Sequence, residues 1–95
     1  MSHWFISRHP GAKEWVEKQN IVIDYFIDHL ESIELIQKDD HVYGTLPVNL
    51  AYAVCQKGAA YYHLALDIPQ HYRGKELSAD DMTNCSAQLT HYTIK

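Results

Sequence analysis

Short runs of β-branched and aromatic residues alternate with segments of helical periodicity along the whole chain, and this alternation constrains the fold more than any single motif. Residues 4–7 form an apolar run that Pro10 and Gly11 cut, after which Ala12, Trp15 and Val16 recur at helical spacing towards Asn20. Residues 21–27 read as a second strand. Residues 32–36 are either a short helical turn or an irregular connection. Residues 42–46 read as a third strand, entered from the polar Lys38, Asp39, Asp40 and His41. Pro47 then stands where a helix can begin, because its missing N–H costs nothing there. Leu50, Ala53 and Val54 make one face of that helix, and Gly58 ends it. Residues 60–68 are the most hydrophobic strand and are expected at the centre, with apolar residues on both faces. Ser78 and Asp81 form a capping box, with Leu77 placed to staple against Met82. Met82, Cys85 and Leu89 suggest the apolar face of a last helix, and residues 90–94 an edge strand.

Strands that alternate with helices imply parallel pairing and right-handed crossovers. The expected architecture is one domain over residues 1–95, a minimal Rossmann-like α/β fold with a mostly parallel sheet of about five strands. A chain of 95 residues with 46% hydrophobic content suffices for one core and not for two.

Charge and cysteine content narrow the function. Eight Lys and Arg against twelve Asp and Glu leave a formal charge of −4, which argues against long nucleic acid as a partner. A small anionic ligand held by a few donors stays open. Two cysteines, Cys55 and Cys85, are too few for a disulfide scaffold, and both fall on apolar helical positions where an inert thiol is expected. The first residues show no basic region followed by a long apolar run, and no stretch approaches the roughly 20 residues of a membrane span. The expectation is a reduced, cytoplasmic domain with no membrane partner.

Open α/β sheets bind ligands beyond the carboxyl ends of their strands. Three loops are expected there: Ser7-Arg8-His9-Pro10-Gly11, Gly44-Thr45-Leu46-Pro47-Val48-Asn49, and the segment from Asp67 through His71-Tyr72-Arg73-Gly74-Lys75-Glu76. Arg8, Arg73 and Lys75 lie in them, including both arginines of the chain. Arg8 and Arg73 suit the forked recognition of phosphate, and His9 is placed to move a proton near neutral pH, with Glu76 second. Ser7, Gly11, Gly44, Thr45, Asn49, Tyr72 and Lys75 complete the expected ligand-binding set. Each loop also admits a plainer reading as a solvated turn or as strand-to-helix punctuation. There is no GxGxxG and no Walker lysine, so neither a dinucleotide cofactor nor a nucleoside triphosphatase is expected, and no cofactor is assigned. With no CxxC, HxH or HExxH, and with the seven histidines dispersed, no metal site is expected either.

These three stretches resemble a small CRISPR-associated family encoded beside type III systems, which includes ring nucleases that act on cyclic tetra-adenylate. The likeness rests on residues 5–12, 44–51 and 73–78, in the same order over nearly the whole chain. It implies a homodimer, with a higher assembly around the ligand left open, that binds cyclic tetra-adenylate and cleaves it to linear products. In that reading the ribose 2′-hydroxyl attacks the neighbouring phosphorus without a metal, and Arg8, Arg73, His9 and Glu76 carry the chemistry. Sequestration of the messenger without cleavage, or a sensor or adaptor role, would use the same edge and the same arginines.

Overall fold

The computed structural model describes residues 1–8, 10–66 and 78–94. Its elements run β1 (His3–Ile6), α1 (Pro10–Glu17), β2 (Tyr25–Ile27), a 3-10 turn (Ile33–Leu35), β3 (His41–Gly44), α2 (Val48–Gln56), β4 (Ala60–Ala65), α3 (Ala79–Asn84) and β5 (Gln88–Tyr92). The five strands lie in the order β2-β1-β3-β4-β5. Pairing is parallel between β2 and β1, β1 and β3, and β3 and β4, and antiparallel only between β4 and β5. This is a small Rossmann-like α/β fold with a mostly parallel sheet, as the alternation implied.

Strand periodicity sorts the core into two layers. Phe5, Tyr43 and Leu64 point to one face and pack with Ala12, Trp15 and Val16 of α1 and Ala79 and Met82 of α3. Ile6, Val42 and Tyr61 point to the other, against Ala51 and Val54 of α2 and Ile36 beyond the 3-10 turn. Burying each large apolar side chain of this kind is worth about 1.5–3 kcal/mol.

Four local expectations are corrected. The second strand is shorter than residues 21–27, because Asp24 interrupts it: its carboxylate accepts the His3 N–H at 2.8 Å, and its own N–H donates to the His3 carbonyl at 2.8 Å. Ile21 and Ile23 pack on the core from outside the ladder. The middle strand is β3, with β4 between it and β5. Pro47 is the residue before the first turn of α2, not within it. Leu89 lies in β5 and not on a helix, since α3 closes at Cys85. That closure is a Schellman motif: Ser86 N–H bonds to Thr83 O and Ala87 N–H to Met82 O, with Ser86 at φ +58°. The Ser78–Asp81 capping box forms as expected, with both of its hydrogen bonds at 3.1 Å. Its proposed staple partner, Leu77, lies outside the described residues.

A polar knot fixes the amino ends of β1 and β3. Asp40 is only 2% exposed. Its Oδ1 accepts the Ser2 N–H at 2.8 Å, while Oδ2 accepts the Gln37 N–H at 2.9 Å and the Trp4 indole N–H at 3.1 Å. Burial pushes this carboxyl up, but the three donated hydrogen bonds outweigh it and hold Asp40 below the ordinary aspartate value.

Gly44 ends β3 at φ +147°, a conformation that favours glycine. A Cβ there would stand 2.1 Å from the Ile6 carbonyl oxygen of β1. Its close approach is therefore to a neighbouring strand. Among the described residues, no helix is long and apolar enough to cross a membrane.

Candidate functional site

The strand order reverses between β1 and β3, because β2 was laid down on the other side of β1. At such a point the loops leaving neighbouring strands part and open a crevice. A cleft of about 750 Å³ lies there. It is walled by Ile6, Ser7 and Arg8 after β1, by Asp28, His29 and Leu30 after β2, by Thr45, Leu46, Pro47 and Leu50 entering α2, and by the stretch 63–66 ending β4. Its volume falls within the range of small-molecule sites, about 300–1,000 Å³.

Three of the expected residues meet in this cleft: Ser7, Arg8 and Thr45. Arg8 is exposed and also borders a second cavity of about 630 Å³ on the opposite face of the sheet, which reaches Lys13, Glu14 and Phe26. The Lys13 ammonium sits 4.9 Å from the centre of the Phe26 ring, a cation–π contact that holds it along that wall. Thr45 donates from its hydroxyl to the Leu64 carbonyl at 3.3 Å, linking the ends of β3 and β4. Gly44 is buried at the end of β3, Gly11 is buried at the start of α1, and Asn49 is exposed in the first turn of α2. None of these three lines the cleft. His9, Tyr72, Arg73, Lys75 and Glu76, with Asp67 and His71, lie outside the described residues.

The helix that follows the cleft wall begins on Pro47, which provides no side-chain cap. The Pro47 carbonyl instead accepts the N–H groups of Leu50 and Ala51, both at 3.0 Å. Pro47 and Leu50 line the cleft, so the positive end of the α2 dipole lies at its wall, where negative charge is favoured.

The structure adds a pair that the sequence reading did not single out. Tyr61 and His63 stand two residues apart on β4, so their side chains share the face that leads into the cleft. The Tyr61 hydroxyl accepts the Leu46 N–H at 3.0 Å and lies 3.3 Å from the Gly44 carbonyl and 2.8 Å from His63 Nδ1. Burial raises the Tyr61 phenol above its ordinary value, against the lowering effect of the Leu46 hydrogen bond. His63 is half-buried, lines the cleft, and meets Tyr92 of β5 edge-on at 5.8 Å. The available signal was the alternation Tyr61, His63, Ala65 running to the carboxyl end of a strand. Among the described residues, no group of three or more His, Cys, Asp or Glu is arranged to hold a metal ion.

A family model described as "Putative CRISPR-associated protein (Cas_VVA1548)" matches residues 4–95. The chain belongs to this CRISPR-associated family. Neither a search of curated proteins nor one of solved structures returned a match. The matched span runs from Trp4, the second residue of β1, through β5 and takes in every wall of the cleft, so membership attaches to this fold as a whole.

Proposed function

We propose that this Cas_VVA1548 family member is a ring nuclease that binds cyclic tetra-adenylate at the switch-point cleft and opens it to linear products, ending the signal that the messenger carries. The observation that supports this most is the placement of Arg8 at the mouth of a strand-end cleft, beside the start of α2, in a CRISPR-associated chain of net negative charge. A cation and a helix terminus together suit a phosphate diester.

Ring opening requires the ribose 2′-hydroxyl to attack its own phosphorus in line, leaving a 2′,3′-cyclic phosphate and a free 5′-hydroxyl. The protein must splay the backbone, stabilise charge on the phosphorus oxygens and move protons. Arg8 and Arg73 are assigned to the charge, His9 and Glu76 to protons, and Ser7, Thr45 and Asn49 to positioning. A cyclic tetranucleotide has rotational symmetry that a two-fold homodimer matches, which leaves each subunit about two phosphates to manage.

The test is incubation with cyclic tetra-adenylate in EDTA, with products resolved by chromatography over time. Linear products ending in a 2′,3′-cyclic phosphate are expected. An intact ring bound tightly would mean sequestration or sensing instead, and no binding would remove the ligand assignment.

A further inference from the structure

We propose that His63, in place of His9 or Glu76, takes the 2′-hydroxyl proton during ring opening and that Tyr61 is its positioning residue; this rests on the ring-nuclease reading above. The geometry is specific. His63 lines the same cleft as Arg8, and among the described residues its ring makes one hydrogen bond, through Nδ1 to the Tyr61 hydroxyl at 2.8 Å. Nε2 is the nitrogen that remains for a ligand.

The Tyr61 oxygen already receives the Leu46 N–H, so its single proton has two possible destinations, the Gly44 carbonyl or His63 Nδ1. With the proton on the Gly44 carbonyl, His63 donates from Nδ1 to Tyr61, and Nε2 is bare and able to act as a base. With the proton turned to Nδ1, Nε2 carries the hydrogen and can only donate. The basic tautomer therefore requires the Gly44 carbonyl, 3.3 Å away, to take the Tyr61 proton, and that carbonyl sits there because Gly44 alone fits the crowded end of β3. The imidazole meets Tyr61 on its own strand and Tyr92 from β5, while Arg8 after β1 and Asp28 and His29 after β2 line other walls of the same cleft.

In the step itself, Nε2 accepts the 2′-hydroxyl proton as the O2′–P bond forms and the P–O5′ bond breaks. The departing 5′ oxygen takes a proton from solvent, and the imidazolium returns its own, so protons balance over the cycle.

The test is single-turnover cleavage of cyclic tetra-adenylate across pH, with affinity measured separately, for the wild-type protein, His63→Gln and Tyr61→Phe. His63→Gln is expected to slow cleavage about 10²–10³-fold while affinity stays within about threefold, and to abolish the limb in which rate rises as an imidazole deprotonates. Tyr61→Phe is expected to keep the limb but displace it, with a loss of about tenfold. Thermal melts of each variant separate lost folding from lost chemistry, and nitrogen-15 spectra of the His63 ring report the tautomer in wild type and Tyr61→Phe directly. Cleavage by the wild type with an unaltered rate and pH profile in His63→Gln overturns this proposal alone. No cleavage by the wild type overturns it together with the ring-nuclease reading. A Tyr61→Phe protein that only melts earlier, with the limb and the tautomer unmoved, removes the positioning role.

Discussion

Two polar side chains at opposite ends of the sheet, Asp40 and His63, are held in opposite ways. At the amino ends, Asp40 is buried and both carboxylate oxygens are engaged by three donors from Ser2, Trp4 and Gln37. At the carboxyl ends, His63 is held, among the described residues, at Nδ1 alone, and Arg8 stands exposed at the rim of two cavities. A group whose hydrogen-bonding capacity is used up internally contributes to the fold. One held on one side, with capacity turned to a cleft, is prepared for a ligand. On this ground Asp40 and His63 are told apart by their partners, which residue type alone does not reveal.

The comparison breaks most visibly if His63→Gln cleaves normally, since that substitution carries the largest expected effect. Next is Asp40→Asn, which turns an acceptor into a donor facing N–H groups. Loss of about 2–4 kcal/mol of stability is expected, measured by denaturant unfolding, with ligand affinity unchanged. Because the folded-state carboxyl is held below its ordinary value, its stabilisation is present above about pH 4 and is lost as pH falls through the lower folded value. Wild-type melting temperatures are therefore expected to drop below that pH more steeply than those of Asp40→Asn. Equal slopes would show that the knot has no electrostatic share.

Arg8→Ala reverses the pattern. Affinity for cyclic tetra-adenylate is expected to weaken by about 1.5–3 kcal/mol, roughly 10- to 150-fold, with the unfolding midpoint unmoved. Unchanged affinity would place the anion contacts elsewhere. The smallest effect tests the helix end rather than either site. Ser86→Gly relieves a positive φ at the end of α3 and is expected to raise stability by about 0.5–1 kcal/mol, read as a shift in melting temperature. A destabilised variant would mean that the Ser86 side chain contributes more than its backbone strain costs.

Much of this architecture was legible in the linear pattern, because hydrophobic period and local punctuation act over a few residues. The alternation of runs specifies strands and helices, Gly58 the end of α2, and Ser78 with Asp81 the start of α3, each through a contact within one turn. The sequence also pointed to the loop after β1 and the loop after β3 as one edge, and Arg8 and Thr45 do share a cleft. Asp24 cutting β2 short was not legible, since its partner His3 lies 21 residues away. Nor was the end of α3, where Ser86 takes a conformation that glycine usually supplies.

What the sequence determined by itself is the class of fold and the edge on which to look, because both follow from periodicities that each residue expresses locally. Tertiary structure alone decided that Gly44 is required by the Ile6 carbonyl, that Asp40 gathers three donors from separate segments, and that Tyr61 presents His63 to the cleft. These are distances between strands, and strand order and register place groups within hydrogen-bonding range that no spacing along the chain specifies.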